Sequence, residues 1–211
     1  MRQLIAATIR RIASFSETLE GYEQSELVDT IFKKTVAYEP DSDWPEMAGV
    51  STVLDFGGGC GVHYKQARSP IVRWAVVETP LMVQRASELA TDRLRFFTSV
   101  RDAANWLGSV DVMHSMGALQ YVPDPARTLN ALCEVRAKKM YWAKIALSAK
   151  TTKRENQLSL LGENGPGTIR KFSGKAVRYT LTAIPEQTFL DAHKDYSLAD
   201  RGVDWFRFVL R

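Results

Sequence analysis

The sequence predicts an α/β protein whose doubly wound, mostly parallel sheet ends in an antiparallel hairpin. From residue 51 onward, short apolar runs alternate with short helical patterns. Four glycines follow the first of these runs, and the chain ends on two strand-like runs separated by Arg201 and Gly202. Apolar runs without polar alternation are typical of parallel strands covered on both faces.

Residues 1–50 are predicted to form a helical extension and a linker ahead of the sheet domain, residues 51–211. Near the N-terminus, apolar residues recur at helical spacing, namely Ile5, Ile9, Ile12 and Leu19. Arginines lie between or before them, namely Arg2, Arg10 and Arg11. Such a helix can pack on its own domain or lie on a membrane surface. A second helical pattern contains Leu27, Ile31, Phe32 and Val36 and precedes the polar stretch EPDSDWPEMAG.

The elements of the sheet domain follow in order. The predicted strands one to five are STVLDF, IVRWAVVE, RLRFFTSV, SVDVMHS and KKMYWAKIAL. The predicted helices between them are VHYKQAR, residues 81–89, DAANWLG and ARTLNALCEV. Thr79 and Asp124 each precede a proline, which combines a capping side chain with the residue preferred at the first helical position. A last helix, PEQTFLDAH, leads to the hairpin strands KDYSLAD and DWFRFVLR.

Residues 148–184 interrupt this rhythm and are predicted to form an insertion or lid. The net charge of the chain is +4, yet the segment from Arg136 to Arg178 carries +9 and the remainder carries −5. This local excess suits an anionic partner, although a solvated lysine-rich surface has the same composition. No recognised RNA-binding module accompanies the charge, so nucleic acid is disfavoured as a partner.

Composition excludes several classes of protein. Hydrophobic residues make up 45% and charged residues 25% of the chain, as in an ordinary soluble domain. Cys60 and Cys133 lack the spacing of a disulfide framework or a metal site, so we predict no bound metal and a reducing cytoplasm. No apolar run approaches the roughly 18 residues that cross a bilayer.

The glycine cluster carries the functional argument. Asp55, Gly57, Gly59 and Gly61 form the pattern D-x-G-x-G-x-G, with Gly58 inside it. A dinucleotide fingerprint requires a sixth-position glycine, but counting from Gly57 or from Gly58 reaches Val62 or His63 instead. Glycines at the end of the first strand of a doubly wound sheet allow a ligand to approach the backbone closely. The cluster therefore predicts a ligand site of another kind.

The pattern resembles motif I of the class I S-adenosylmethionine-dependent methyltransferases, and the resemblance extends over residues 51–211. It implies their Rossmann-like fold, a seven-stranded sheet with a terminal hairpin, and S-adenosylmethionine as cofactor. More narrowly, GGGCGVHY, WAVVETPLMV and LQYVPDP resemble bacterial methyltransferases associated with surface-polysaccharide biosynthesis. That likeness implies a small or glycan acceptor, here expected to be anionic.

The resemblance also implies roles for individual residues. Asp55 is expected near the cofactor ammonium, where it would also brace the glycine turn. Glu78, at the end of strand two, is expected to accept from both ribose hydroxyls. Further cofactor contacts are expected from Leu81, Ser99, Ser115 and Met116. Many family members have an aspartate after strand three where this chain reads FFTSV, which places the adenine contact in doubt.

Three side chains are candidate general bases: His114, His63 and Tyr121. A hydroxyl acceptor needs such a base, whereas a neutral amine does not, and alignment of donor and nucleophile supplies much of the catalysis in either case. Two other functions stay open. A methyltransferase-like protein without turnover would explain the missing aspartate. An NAD(P)-dependent oxidoreductase or epimerase would share Glu78, but no tyrosine among the four at 64, 121, 141 and 179 has a lysine four residues later.

Overall fold

The computed structural model describes residues 18–42, 44–67, 73–167 and 175–211. The predicted amphipathic helix at the N-terminus lies outside these residues. In chain order the elements are β1 (Thr18–Glu20), α1 (Ser25–Ala37), β2 (Thr52–Phe56), α2 (Val62–Gln66), β3 (Arg73–Val77), α3 (Pro80–Ala86), β4 (Leu94–Phe97), α4 (Val100–Leu107), β5 (Val112–Met116), α5 (Pro125–Glu134), β6 (Lys139–Ala143), β7 (Leu147–Ser148), β8 (Lys153–Leu160), β9 (Ala176–Pro185), α6 (Glu186–Ala192), β10 (Tyr196–Arg201) and β11 (Phe206–Leu210).

The main sheet has seven strands in the order β10-β11-β6-β5-β2-β3-β4. Strands β2 to β6 are parallel to their neighbours, while β11 runs antiparallel to both β6 and β10. The predicted parallel sheet with a terminal hairpin is thus confirmed. The strand order reverses between β2 and β5, and ligands in such sheets bind outside the carboxyl ends at this point.

Both faces of the sheet are covered by apolar residues, as the unbroken apolar runs predict. On one face, β2 contributes Leu54 and Phe56 to a cluster with residues of α4, α5 and α6. On the other face it contributes Val53 to a cluster with residues of α1 and α3. Every residue of β2 is buried. Asp55 therefore lies inside the protein even though it is charged.

The helix starts predicted at Pro80 and Pro125 are confirmed, but one of the two caps differs from its prediction. The Asp124 side chain accepts a hydrogen bond from the Arg127 N–H at 3.0 Å, and Pro125 takes the first helical position of α5. Thr79 occupies the corresponding position before α3, yet its side chain makes no capping hydrogen bond. The Glu78 carboxylate accepts from the Thr79 N–H at 3.0 Å. This bond holds the Glu78 side chain against its own strand end.

The segment predicted as an irregular insertion contains two long strands. β8 pairs antiparallel with β9 from Lys153 opposite Ala183 to Leu160 opposite Ala176. β9 also pairs in parallel with β1 and with β7, which gives a second sheet of four strands. The first five residues of β8 are exposed, so the strand has no apolar alternation from which to predict it. The role of a lid stays a prediction.

The helix predicted from Leu27, Ile31, Phe32 and Val36 is α1, which packs on α3. Within the described residues, no helix combines the length and apolar character that crossing a membrane requires.

Candidate active site

A cavity of about 1480 Å³ opens at the carboxyl ends of the central strands. Its wall includes the glycine turn after β2, Glu78 after β3, Ser99 after β4 and Met116 after β5. Tyr22 and residues 163–167, from the second sheet and its connections, contribute the facing wall. The cavity therefore occupies the position that the glycine cluster predicts for a ligand.

The glycine turn is required by packing as well as by the cavity. Gly57 has φ +74°, and a Cβ there would lie 2.1 Å from the Ala118 Cβ. A Cβ on Gly58 would lie 2.2 Å from the Asp55 Oδ2. Gly57, Gly58 and Gly59 line the cavity, whereas Gly61 faces Leu94 and Phe96. The first three glycines thus let the chain turn above Asp55 and leave bare backbone facing the cavity.

Glu78 links the end of β3 to the glycine turn. Its Oε1 accepts from the Gly59 N–H and its Oε2 from the Thr79 N–H, both at 3.0 Å. Burial raises the pKa of Glu78, although these two backbone hydrogen bonds oppose the shift. Each carboxylate oxygen can accept a second hydrogen bond. Glu78 is therefore fixed in the wall with acceptor capacity to spare.

Asp55 lies beneath the turn and lines neither of the cavities described here. Its side chain is 0% exposed and accepts from His114 Nδ1 at 2.8 Å, from His63 Nδ1 at 3.0 Å and from Trp74 Nε1 at 3.3 Å. Burial alone would raise the pKa of Asp55, but the two histidines outweigh it and hold that pKa below its ordinary value. The Asp55 carboxylate lies directly under Gly58, and its role in bracing the turn, expected from the resemblance, stays a prediction. Its contact with a cofactor ammonium stays a prediction, because Gly58 lies between the carboxylate and the cavity.

The two histidines bound to Asp55 face different spaces. His63 lines the large cavity, and His114 lines a smaller one of about 440 Å³. Burial lowers the pKa of His114, although Asp55 opposes the shift. With each Nδ1–H donated to Asp55, each imidazole has Nε2 as its remaining acceptor.

Asp55, His63 and His114 bring three potential metal-ligand atoms, one carboxylate oxygen and two imidazole nitrogens, within 4.8 Å of one another. A carboxylate that accepts three N–H groups, including the indole of Trp74, is already satisfied without an ion. We therefore interpret this cluster as a hydrogen-bond network.

Three solved structures share this architecture. The glycopeptide N-methyltransferase MtfA in complex with S-adenosyl-L-methionine matches with 10% identity and a TM-score of 0.52 over 82% of this chain and 89% of that one. CalS10, an amino pentose methyltransferase from Micromonospora echinaspora involved in calicheamicin biosynthesis, matches with 13% identity and a TM-score of 0.51 over 100% and 97%. The sugar N-methyltransferase KedS8 from Streptoalloteichus sp ATCC 53650 matches with 16% identity and a TM-score of 0.50 over 90% and 89%.

The chain has a methyltransferase fold. At these identities the likeness concerns the fold alone. No protein-family model and no curated protein sequence matches the chain.

Within this methyltransferase fold, the other predicted cofactor contacts are distributed unevenly. Met116 lines both cavities, and Ser99 lines the large one while its hydroxyl caps α4 by accepting from the Asp102 N–H. Ser115 is 2% exposed, and neither it nor Leu81 lines the large cavity, whereas Met82 does. Direct ligand contacts from Leu81, Ser99 and Ser115 stay predictions.

Tyr121 belongs to a group of three tyrosines in the cavity wall. The rings of Tyr22 and Tyr179 stack with centroids 4.6 Å apart, and Tyr121 lies 5.5 Å from the first and 5.6 Å from the second. Burial raises the pKa of Tyr121, and its hydroxyl donates to the Gln157 Oε1 at 2.7 Å. Tyr121 is therefore a poor proton acceptor here. Sequence reasoning missed Tyr22 and Tyr179, since they come from segments that no motif covers.

Among the described cations at the large cavity, one comes from the basic segment Arg136 to Arg178 and two lie outside it. Arg101, Arg127 and Lys144 line it, and within the described part of the chain none of them forms an ion pair. Lys153 and Arg154 lie on β8 away from the cavity wall. Lys175 pairs with Glu26 at 2.7 Å, and Arg178 pairs with Glu20 at 2.7 Å. Arg170 and Lys171 lie outside the described residues.

A positional signal for two of these cations was present in the sequence. Arg101 and Arg127 each lie in the first turn of a helix that follows a strand or its loop. Residues at such positions in a doubly wound sheet face the ligand-binding edge.

Proposed function

We propose that this protein transfers a methyl group from S-adenosylmethionine to a small anionic acceptor, such as a sugar or glycan precursor. The observation that carries the proposal is the Glu78 carboxylate beside bare glycine backbone in one cavity at the switch point of the sheet. These features suit a nucleoside ligand, because a strand-end carboxylate can accept from both ribose hydroxyls. The solved methyltransferases that share this fold support the choice of cofactor.

The wall offers distinct groups for each part of the cofactor. The spare acceptor capacity of Glu78 suits the ribose, and the glycine turn leaves room for the backbone to approach the ligand. The tyrosine group supplies π faces, which attract cations such as a sulfonium. When bound, S-adenosylmethionine supplies an electrophilic methyl on a good leaving group. Positioning by the cavity then accounts for much of the rate.

The negative charge proposed for the acceptor is inferred from cationic side chains in the cavity wall that have no ion-pair partner among the described residues. Arg101, Arg127 and Lys144 line the cavity without carboxylate partners among the described residues, so an anionic group there would gain charge-assisted hydrogen bonds. A phosphate or diphosphate on a sugar has this chemistry. KedS8 is a sugar N-methyltransferase and CalS10 an amino pentose methyltransferase, which supports this choice. The association with surface-polysaccharide biosynthesis stays a prediction from the resemblance.

For a hydroxyl acceptor we assign the general base to His63. It lines the large cavity, and its Nδ1 is bound to Asp55, so Nε2 is the acceptor. His63 would take up the hydroxyl proton of the acceptor at Nε2 as the methyl group is transferred. An amine acceptor, as in the N-methyltransferases MtfA and KedS8, would attack as the neutral base and need no such group.

Calorimetric titration tests the cofactor directly. We expect S-adenosylhomocysteine to bind and NADH not to bind. Glu78→Gln should weaken S-adenosylhomocysteine binding by roughly 1 to 3 kcal/mol, because a ribose hydroxyl loses a charged acceptor. Glu88→Gln, an exposed change just beyond α3, is the matched control. Binding of NADH alone would support the oxidoreductase reading, and unaltered affinity in Glu78→Gln would remove this carboxylate from the site.

Turnover separates an enzyme from a binding protein of the same fold. The position after β4 supports the inert alternative, because Ser99 stands where an aspartate is expected and its hydroxyl is used by the helix cap. Methyl transfer from labelled S-adenosylmethionine to a panel of nucleotide sugars would exclude it. Binding of S-adenosylhomocysteine without transfer to any member of an O- and N-acceptor panel would favour it.

The anionic acceptor is tested by charge neutralisation. The double change Arg101→Gln, Arg127→Gln should raise the KM for a nucleotide sugar by about tenfold or more and flatten its salt dependence. Lys153→Gln, Arg154→Gln removes the same charge from β8, away from the cavity, and should leave KM unchanged. Equal effects of the two double changes would show that only the overall field matters.

A further inference from the structure

The smaller cavity is a second candidate binding pocket beside the large one. It lies at the ends of β5, β6 and β11, next to the short 3-10 turn Pro45–Met47. Gln66, Met116 and Lys144 line both cavities. Because its wall is shared with the large cavity, a ligand group in the smaller cavity is within reach of a ligand in the larger one.

Three half-buried aromatic side chains line this smaller cavity: Trp44, Tyr141 and Trp205. Trp205 is held by the hairpin turn, where the Gly202 N–H donates to the Trp205 carbonyl at 2.9 Å. A Cβ on Gly202 would lie 2.1 Å from the Trp205 Nε1, so the indole depends on glycine at that position. The aromatic surface is therefore fixed by the backbone.

Charged groups of both signs line the same wall. The Arg207 guanidinium binds the Glu46 carboxylate at 2.6 Å and lies 5.7 Å from the ring centre of Tyr141 and 5.3 Å from that of Trp205. Lys144 and Asp204 line the cavity as a second cation and a second anion. The charged groups of the wall balance, so the pocket has no net charge to attract an ion.

His114 adds an acceptor at the floor of this pocket. Asp55, His114, Tyr141 and Arg207 occupy paired positions on four neighbouring strands, so their side chains share one face of the sheet. The His114 side chain is 2% exposed, and its Nδ1 is taken by Asp55. No described residue hydrogen-bonds its Nε2, which leaves that atom for a ligand hydroxyl.

We infer that the smaller cavity binds a neutral, hydroxyl-bearing ring such as a pyranose unit. Aromatic faces cover the C–H surface of such a ring, while Glu46, Arg207 and His114 supply acceptors and donors for its hydroxyls. Pockets with an aromatic lining and a few placed polar groups are typical small-molecule sites. The assignment of the ring to the methyl acceptor rests on the proposed function, whereas binding of the ring itself does not.

Indole N–H resonances of the intact protein test this inference with methyl α-D-glucopyranoside as probe. The signals of Trp44 and Trp205 should shift on titration, while that of Trp106, which lies on α4 and contacts Phe97, should not. Trp205→Ala should weaken binding of the probe about tenfold. Val203→Ser, in the same hairpin turn and 100% exposed, should leave binding unchanged.

Each outcome decides between readings. The inference would be overturned if the Trp44 and Trp205 signals did not move at the highest pyranoside concentration. It would also be overturned if these signals responded to phenol and not to the sugar. Shifts that persist unchanged in Trp205→Ala would place the sugar elsewhere and also overturn it. If the pyranoside binds here but S-adenosylhomocysteine does not bind the protein, the proposed function fails and this pocket stands. If S-adenosylhomocysteine binds and the pyranoside does not, the reverse holds.

Discussion

At the scale of single residues, the Asp55 carboxylate connects the two cavities. It accepts from His63 at the large cavity and from His114 at the smaller one, and it lies directly under Gly58. A buried carboxylate costs free energy unless donors surround it, and here three N–H groups do so. The same bonds fix the tautomer of both imidazoles. Asp55 is thus a positioning residue for both histidines.

The assignment of His63 as base predicts a selective loss of activity. His63→Gln should lower kcat with a hydroxyl acceptor by about 10²- to 10⁴-fold, because no group then takes the proton. Glutamine keeps an N–H that can reach Asp55, so S-adenosylhomocysteine affinity and the melting temperature should change little. Transfer to a neutral amine acceptor should also be retained. An undiminished kcat with the hydroxyl acceptor would exclude His63 as the base.

Residue positions were predictable from the sequence where a motif or a strand end fixes them. Glu78 lies in the cavity wall, as expected. Its position was predictable because WAVVE marks the end of strand two and the glycine pattern marks the ligand-binding end of the neighbouring strand. Trp205 and Tyr22 could not be predicted to line a cavity, since their places depend on the pairing of β11 with β6 and of β1 with β9, which brings distant segments together. Long-range pairing of this kind leaves no local pattern.

At the scale of elements, α1 holds in place the turn at residues 161–165, which faces the glycine turn across the large cavity. Lys34 is 6% exposed, and its ammonium donates to the carbonyls of Gly162 at 2.8 Å and Asn164 at 2.7 Å, and to a third, that of Gly165, at 3.4 Å. Burial lowers the pKa of Lys34, although Glu163 opposes the shift. A helix from the N-terminal segment therefore fixes a turn that lies more than 120 residues later in the chain.

Loss of this ammonium should loosen the turn without unfolding the sheet. Lys34→Met leaves three carbonyls without their donor, and we expect a destabilisation of about 1 to 3 kcal/mol. Hydrogen exchange should accelerate at residues 161–165, and S-adenosylhomocysteine affinity should fall, since residues 163–167 line the cavity. Lys33→Met, on the exposed face of the same helix, is the control. Unchanged exchange at the turn in Lys34→Met would show that the three hydrogen bonds do not hold it.

Elements with apolar periodicity were predicted correctly, and the second sheet was not. The first five residues of β8 are polar and exposed, and the strand depends on β9 for its backbone hydrogen bonds. Most of β9 was placed in a predicted insertion, residues 148–184, because that segment contains GENGPG and lacks strong periodicity. Pairing with β1 and β8 decides the outcome, and such pairing between distant segments cannot be seen in a single run of residues.

At the scale of the whole molecule, the sheet separates two buried histidine environments. Asp55 and His114 belong to the face that carries α1 and α3, while His193 follows α6 on the opposite face. The His193 ring stacks on Phe208 with centroids 3.8 Å apart, Nε2 accepts from Trp142 Nε1 at 2.9 Å, and Nδ1 donates to the Phe189 carbonyl at 2.8 Å. The His193 ring is therefore held as the neutral imidazole.

This arrangement makes folding stability depend on pH below neutrality. Burial lowers the pKa of His193 to about 4, and burial also lowers that of His114. Below about pH 6.5 these two histidines bind protons in the unfolded chain but stay neutral in the folded one. The free energy of unfolding is therefore highest above that pH and decreases as the pH is lowered. For His193 alone the loss by pH 5 is about 2 kcal/mol. Urea unfolding at pH 7 and pH 5 should show it, and His193→Gln should reduce the pH dependence while keeping an acceptor for Trp142. An equal pH dependence in His193→Gln would assign the effect to His114 and the carboxylates on the other face.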